Sequence, residues 1–207
     1  GSSAAPMNKE VEAYREKYMR ARLGDEFEFN WKTMADYMGL IDDAGASFNV
    51  VALVGQGTVR QNVMGYEDRE PTGSEMAAMK RLVSKAMKDG AWGMSTGLIY
   101  TPSVFAKTDE IVELAKVLPE YGGVYFSHIR GEGETLLEAV REAIEIGERA
   151  GVPVQIAHFK ASGKEYWGKT AESLRLVEEG RQNGVDVTFD QYPYVASSTG
   201  LSALMPH

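Results

Sequence analysis

Val124-Tyr125-Phe126-Ser127-His128 and Val154-Gln155-Ile156-Ala157-His158 decide how this chain is read. Each is a short apolar run that reaches a histidine near its end and leads into a new helical segment. The two histidines lie thirty positions apart, close to one strand–helix unit of a parallel α/β protein. If the runs are neighbouring parallel strands, both imidazoles emerge at the same edge of the sheet, where such folds bind ligands. That placement makes a metal pair a candidate. Taken singly, each histidine is more readily a hydrogen-bonded polar residue at a strand end.

The same rhythm extends outward from the pair. Asn49-Val50-Val51-Ala52-Leu53-Val54 is continuously apolar and stops at Gly55-Gln56-Gly57, as a strand covered on both faces should. Ala91-Trp92-Gly93-Met94-Ser95 is a weaker strand that opens into the loop from Thr96 to Pro102, and Val185 to Asp190 forms a fifth. Strand starts near 49, 91, 124, 154 and 185 recur at about thirty to forty residues. Helices fill the gaps. One runs from about Ser74 to Asp89, with Met76, Met79, Leu82, Val83 and Met87 inward and Gly90 as its stop. Its methionine stripe reads as core rather than as a cofactor box. Thr108 is an N-cap with Asp109 and Glu110 in the first turn, and that helix ends near Tyr121. Another spans roughly Glu134 to Ala150, with Leu137, Val140, Ile144 and Gly147 on one face, and a last one spans Thr170 to Gln182. Ahead of the first strand, Asn8 to Arg22 predicts a surface helix with a weak Tyr14–Tyr18 stripe. Asn30 then caps a helix from about Trp31 to Ala44.

Repeated βα units leave two architectures, a (β/α)8 barrel and a doubly wound open sheet. A GxGxxG fingerprint would favour the second, and none occurs. Gly131-Glu132-Gly133 is half of one, but an acidic residue makes a poor phosphate cradle. Five strands are about three short of closure, and roughly 250 residues is typical of a barrel. The pattern is that of the middle of a barrel.

Composition narrows the function. The chain has 207 residues, 43% hydrophobic and 25% charged, enough for a packed core. A formal net charge of -8 argues against a phosphate-backbone binder, so no nucleic-acid partner is expected. Cysteine is absent, which removes disulfides, thiolate ligands and a thiol nucleophile and fits a reducing, cytoplasmic setting. No apolar run approaches the roughly twenty residues that span a bilayer, so no membrane partner is expected either. Residues 1–30 form a helical or loop segment whose opening Gly1-Ser2-Ser3-Ala4-Ala5 reads as a cloning remnant, and 31–207 carry the barrel-like units.

Residues just after the strands are those placed for chemistry: Gln56, Ser95 to Tyr100, His128 and Arg130, His158 and Lys160, then Asp190, Tyr192 and Tyr194. Two imidazoles suit zinc, but a catalytic zinc takes three protein ligands and a water, so the set is incomplete. Asp190 serves either as a third ligand or, more readily, as a cap and support. Lys160 lies two residues past His158 and so, in extended backbone, on the same side. It is either a cation for an anionic substrate group or a solvated lysine, and Arg130 stands in the same relation to His128. Ser197, Ser198 and Thr199 are loop polar groups, and His207 is given no role. No GxSxG elbow supports a nucleophilic serine.

At these residues the sequence resembles the N-acyl-D-amino-acid deacylases (D-aminoacylases) of the amidohydrolase superfamily. The likeness lies in the stretches Gly90 to Pro102, Tyr121 to Arg130 and Ile146 to Lys160, and in Asp190-Gln191-Tyr192-Pro193-Tyr194. It runs from about Trp31 to the last residue. The resemblance implies a metal-dependent (β/α)8 TIM barrel of which this chain supplies about strands three to seven, without the family's β-sandwich. It implies His128 and His158 as zinc ligands, one or two ions in the complete enzyme, and Lys160 against the substrate carboxylate. Tyr100, Tyr192 and Ser198 would line the substrate pocket, with Arg130 as a further substrate contact. The reaction implied is hydrolysis of an N-acyl-D-amino acid to a carboxylate and a free D-amino acid. The alternatives are a cyclic-amide hydrolase, a dipeptidase-like relative or a non-catalytic barrel fragment. The family's HxH pair, its cysteine ligand and its proton-transferring aspartate match nothing in this sequence, so no catalytic residue is expected within the chain and its partners would be the rest of the barrel and the sandwich. Gln56 stands where the family is expected to show a histidine.

Overall fold

The computed structural model describes residues 1–204. Five parallel strands, β1 (Val54–Gly55), β2 (Gly93–Gly97), β3 (Val124–His128), β4 (Val154–Ile156) and β5 (Val187–Phe189), pair in chain order. Because the order never reverses, the sheet has no switch point of the doubly wound kind. Among the described residues seven α-helices accompany it: α1 (Lys9–Leu23), α2 (Met34–Ala44), α3 (Gln56–Met64), α4 (Gly73–Lys88), α5 (Thr108–Ala115), α6 (Leu136–Ala150) and α7 (Thr170–Gln182).

Alternation along the strands separates two faces. Met94 and Thr96 on β2, Tyr125 and Ser127 on β3, and Val154 and Ile156 on β4 are buried. Thr96, Tyr125 and Ser127 tie their hydroxyls together, 2.9 Å from Thr96 to Tyr125 and 3.2 Å from Tyr125 to Ser127. The intervening residues Ser95, Phe126, Gln155 and Thr188 stand in one row across the sheet and are only partly covered or exposed. Register also sets the functional edge. Gly97 lies opposite His128, and Ser127 opposite Ile156, so both histidine segments finish on the same side of the sheet.

Local chemistry explains most element ends. α6 and α7 fall within two residues of their expected spans, and Gly151 closes α6 in the left-handed conformation at φ 68°. The buried stripe of α6 is Leu136, Ala139, Val140, Ala143, Ile146, Gly147 and Ala150. Leu137 and Ile144, expected inward, are only half-buried, because the stripe is set one position earlier. Full burial of Leu136, Val140 or Ile146 contributes roughly 1.5–3 kcal/mol each. α4 buries Met79, Val83 and Met87, so the methionine stripe is core.

Several expectations need correction, among them the end of the Thr108 helix, which stops at Ala115 ahead of a separate 3-10 turn over Leu118–Tyr121. The first strand pairs only over Val54–Gly55 rather than over 49–54, although Ala52 O still accepts from Trp92 N at 2.9 Å. α3 has no counterpart among the helices expected from the sequence. α2 starts at Met34, not Trp31, because Thr33 and Asp36 cap each other reciprocally where Asn30 does not. Thr108 is the first residue of α5 rather than its cap, and its hydroxyl donates instead to Glu142 Oε1 at 2.9 Å. Tyr14 and Tyr18 on α1 remain about 60% exposed, leaving Val11 as that helix's buried residue. The opening residues are engaged: Ser3 N donates to Thr58 Oγ1 at 2.9 Å, and Gly57 N to Gly1 O at 3.0 Å. His207 lies outside the described residues.

Candidate metal centre

β3 ends on His128, and β4 delivers His158 two residues past its last paired position. His128 Nδ1 lies 2.7 Å from His158 Nε2, with the rings edge-to-face at 4.5 Å between centroids. A third group completes a cluster. Glu132 Oε1 is 2.9 Å from His158 Nδ1 and 2.6 Å from Lys160 Nζ. His128, Glu132 and His158 offer one ligand atom each, all within 4.8 Å of one another.

The electrostatics suit a cation. Burial, reinforced by the neighbouring His158, lowers the His128 pKa to about 4, so its imidazole is neutral with a lone pair available. Burial alone would raise the Glu132 pKa, but hydrogen bonds from His158 and Lys160 outweigh it and hold the carboxylate ionised. His128 Nε2 is buried without a hydrogen-bond partner, a polar atom left over by the protein itself. The two imidazoles are donors that fit zinc chemically, with the Glu132 carboxylate beside them already engaged by His158 and Lys160, so they fill only part of a zinc shell.

Other strand-end residues gather around the pair. Lys160 Nζ stands 5.4 Å from the centre of the Tyr192 ring. The Tyr100 ring is 5.2 Å from His128, and its hydroxyl meets Thr199 Oγ1 at 2.8 Å. Ser198, which precedes Thr199 in the chain, is exposed, and Tyr194 is exposed too. Asp190 acts as a support: Oδ1 accepts from His158 N at 2.6 Å and Oδ2 from Gln155 Nε2 at 3.0 Å.

Two residues singled out from the sequence are not brought to the pair. The Arg130 guanidinium is held by Glu142, Nε to Oε2 at 2.9 Å and Nη2 to Oε1 at 2.9 Å, and donates to Val104 O and Ala106 O. It therefore clamps the loop after β2 onto α6. Gln56 is buried, and its Nε2 donates to Glu110 Oε1 at 2.9 Å beside the Arg60–Glu110 ion pair. Sequence reasoning missed Glu132 and the Arg60–Glu110 pair. The one signal for Glu132 in the sequence is its position one loop turn after a strand-end histidine.

Together the strand order and this cluster define a parallel α/β protein with a histidine–carboxylate centre at the strand ends. No protein-family model matches the chain. A D-aminoacylase of Alcaligenes xylosoxydans xylosoxydans is 40% identical over 173 residues, covering 84% of this chain and 36% of the relative. The crystal structure of a D-aminoacylase described as defining a novel subset of amidohydrolases superposes with a TM-score of 0.77 at 36% identity, over 94% of this chain and 39% of that one. An N-acyl-D-glutamate deacylase from Bordetella bronchiseptica, complexed with zinc and a phosphonate mimic of the tetrahedral intermediate, matches at 0.76 and 33% identity, over 83% and 36%. Over most of its length the chain is a homologue of the D-aminoacylases and N-acyl-D-glutamate deacylases, spanning about a third of their length.

Proposed function

We propose that this chain is the central part of a zinc-dependent amidohydrolase that cleaves N-acyl-D-amino acids to a carboxylate and a free D-amino acid. In this reading β1 to β5 are about strands three to seven of a TIM barrel, and the partly covered row Ser95, Phe126, Gln155 and Thr188 faces its interior. The rest of the barrel and the β-sandwich would come from the remainder of the protein, in a cytoplasmic setting that the cysteine-free sequence suits. The observation that carries the proposal is the convergence of His128, His158 and Lys160 on one sheet edge, in a chain 40% identical to a D-aminoacylase.

His128 and His158 would hold zinc. When bound, zinc polarises the amide carbonyl and lowers the pKa of its water. The chain's own residues do the rest of what this segment contributes. Lys160, a cation at the same edge, receives the substrate carboxylate, and its approach to the Tyr192 ring restricts where that charge sits. Tyr100, packed on His128, and Ser198 line the space beside the amide. The proton-transferring carboxylate is expected from outside these residues.

The test is a substrate panel on the full-length protein. Release of free D-amino acid from N-acetyl-D-amino acids, lost on chelation and restored by zinc, is the expected result. Activity on cyclic imides with none on acyl-D-amino acids would overturn it. The 207-residue chain alone is expected to bind zinc without turnover, and measurable deacylation by it would contradict this division of labour between the segment and the rest of the barrel.

A further inference from the structure

We infer that Glu132 is a positioning residue that sets the tautomer of His158 and holds Lys160 in place through the same oxygen atom. The inference rests on the reading of His158 as a zinc ligand. An ionised carboxylate only accepts hydrogen bonds, so the nitrogen it touches at 2.9 Å, His158 Nδ1, carries the proton. In the neutral ring Nε2 is then the lone-pair nitrogen, and it is the one aimed at His128. Lys160 Nζ lies 3.1 Å from the same Nδ1. Two donors do not bond each other, so both converge on Glu132 Oε1.

The loop that carries Glu132 is fixed to the loop that carries its partners. Ser162 N donates to Glu132 O at 2.7 Å. The flanking glycines make the approach possible: a β-carbon on Gly131 would fall 1.9 Å from Thr135 Oγ1, and one on Gly133 would fall 3.1 Å from the Tyr166 ring. The backbone that carries the carboxylate is therefore held against the loop that carries Lys160. It joins the metal-binding face of the site to the group that would receive the substrate carboxylate. Carboxylate partners of metal-bound histidines are worth about 10–100-fold in metal affinity.

The experiment uses the metal-free 207-residue chain with ¹⁵N-labelled histidine, and long-range ¹H–¹⁵N correlation across the rings. His158 is expected protonated at Nδ1 and bare at Nε2, and Glu132→Gln is expected to abolish that preference. Zinc competition against a chromophoric chelator should show Glu132→Gln weaker by about tenfold or more. Lys160→Met should stay within about twofold of the parent, and Glu132→Asp should recover part of the loss and keep the comparison open if the glutamine variant folds poorly. A proton on Nε2 of His158 in the parent chain overturns the inference. So does an unchanged tautomer in both Glu132 variants, or a Lys160→Met defect as large as that of Glu132→Gln. If the tautomer responds as expected but the parent chain binds no zinc, the positioning role stands and the metal reading fails.

Discussion

His158 occupies φ 39°, in the left-handed region that a β-carbon disfavours. Such strain, of order 1–3 kcal/mol, persists only where the surroundings fix it. At this turn Asp190, the residue after β5, does so: its Oδ1 takes the His158 amide and its O takes the Phe159 amide at 2.8 Å. Asp190→Ala is expected to cost about 1 kcal/mol in urea unfolding, because the carboxylate is exposed, and to weaken zinc binding more than that loss of stability suggests. Retained zinc affinity in that variant would show that the turn aims the imidazole without Asp190. Arg60 is the opposite case, a cation with 0% exposure paired with a nearly buried Glu110. Its Nη2 also donates to Glu67 O at 3.0 Å and Arg69 O at 2.6 Å. Glu110→Ala strands that charge and should destabilise by about 3–5 kcal/mol, whereas Arg60→Met combined with Glu110→Leu should cost far less. Equal losses in the single and double variants would argue against an electrostatic origin.

At the scale of elements, α6 approaches β4 so closely that a β-carbon on Gly147 would lie 2.2 Å from Val154 Cγ2 and 3.1 Å from Val152 O. Gly147→Ala should therefore destabilise by about 1–3 kcal/mol despite its better helix propensity, read as a shifted urea midpoint. A neutral or stabilising effect would mean that α6 slides outward freely. What the sequence revealed follows the same logic. α6 and α7 were legible because amphipathic spacing and a terminal Gly or Asn-Gly coincide in them. α3 was illegible because it buries Gln56, Thr58 and Arg60, polar residues of which Gln56 and Arg60 find their partner, Glu110, fifty positions away or more. Hydropathy cannot register a polar residue satisfied from another element. The histidine pair was visible as two strand endings. Glu132 was not, because its role depends on Ser162 anchoring one loop to another, a contact with no local pattern.

At the scale of the molecule, the described sheet has two free edges, since β1 and β5 each pair on one side only. Unpaired amide and carbonyl groups along an edge are a template for another strand. The β5 edge is the more exposed: Thr188 is open to solvent there, and Val195 and Tyr194 lie uncovered just beyond it. A net charge of -8 opposes association at low salt, so screening should promote it. The 207-residue chain is therefore expected to self-associate with rising concentration and rising salt, as followed by sedimentation velocity. Thr188→Lys places a charge on that edge and should shift the distribution toward monomer without changing the far-ultraviolet circular dichroism. The full-length protein, in which neighbouring strands would cover the edges, should show no such salt-promoted association. A chain that stays monomeric at every concentration and salt, or a Thr188→Lys variant that associates as readily as its parent, would place the contact elsewhere than at β5.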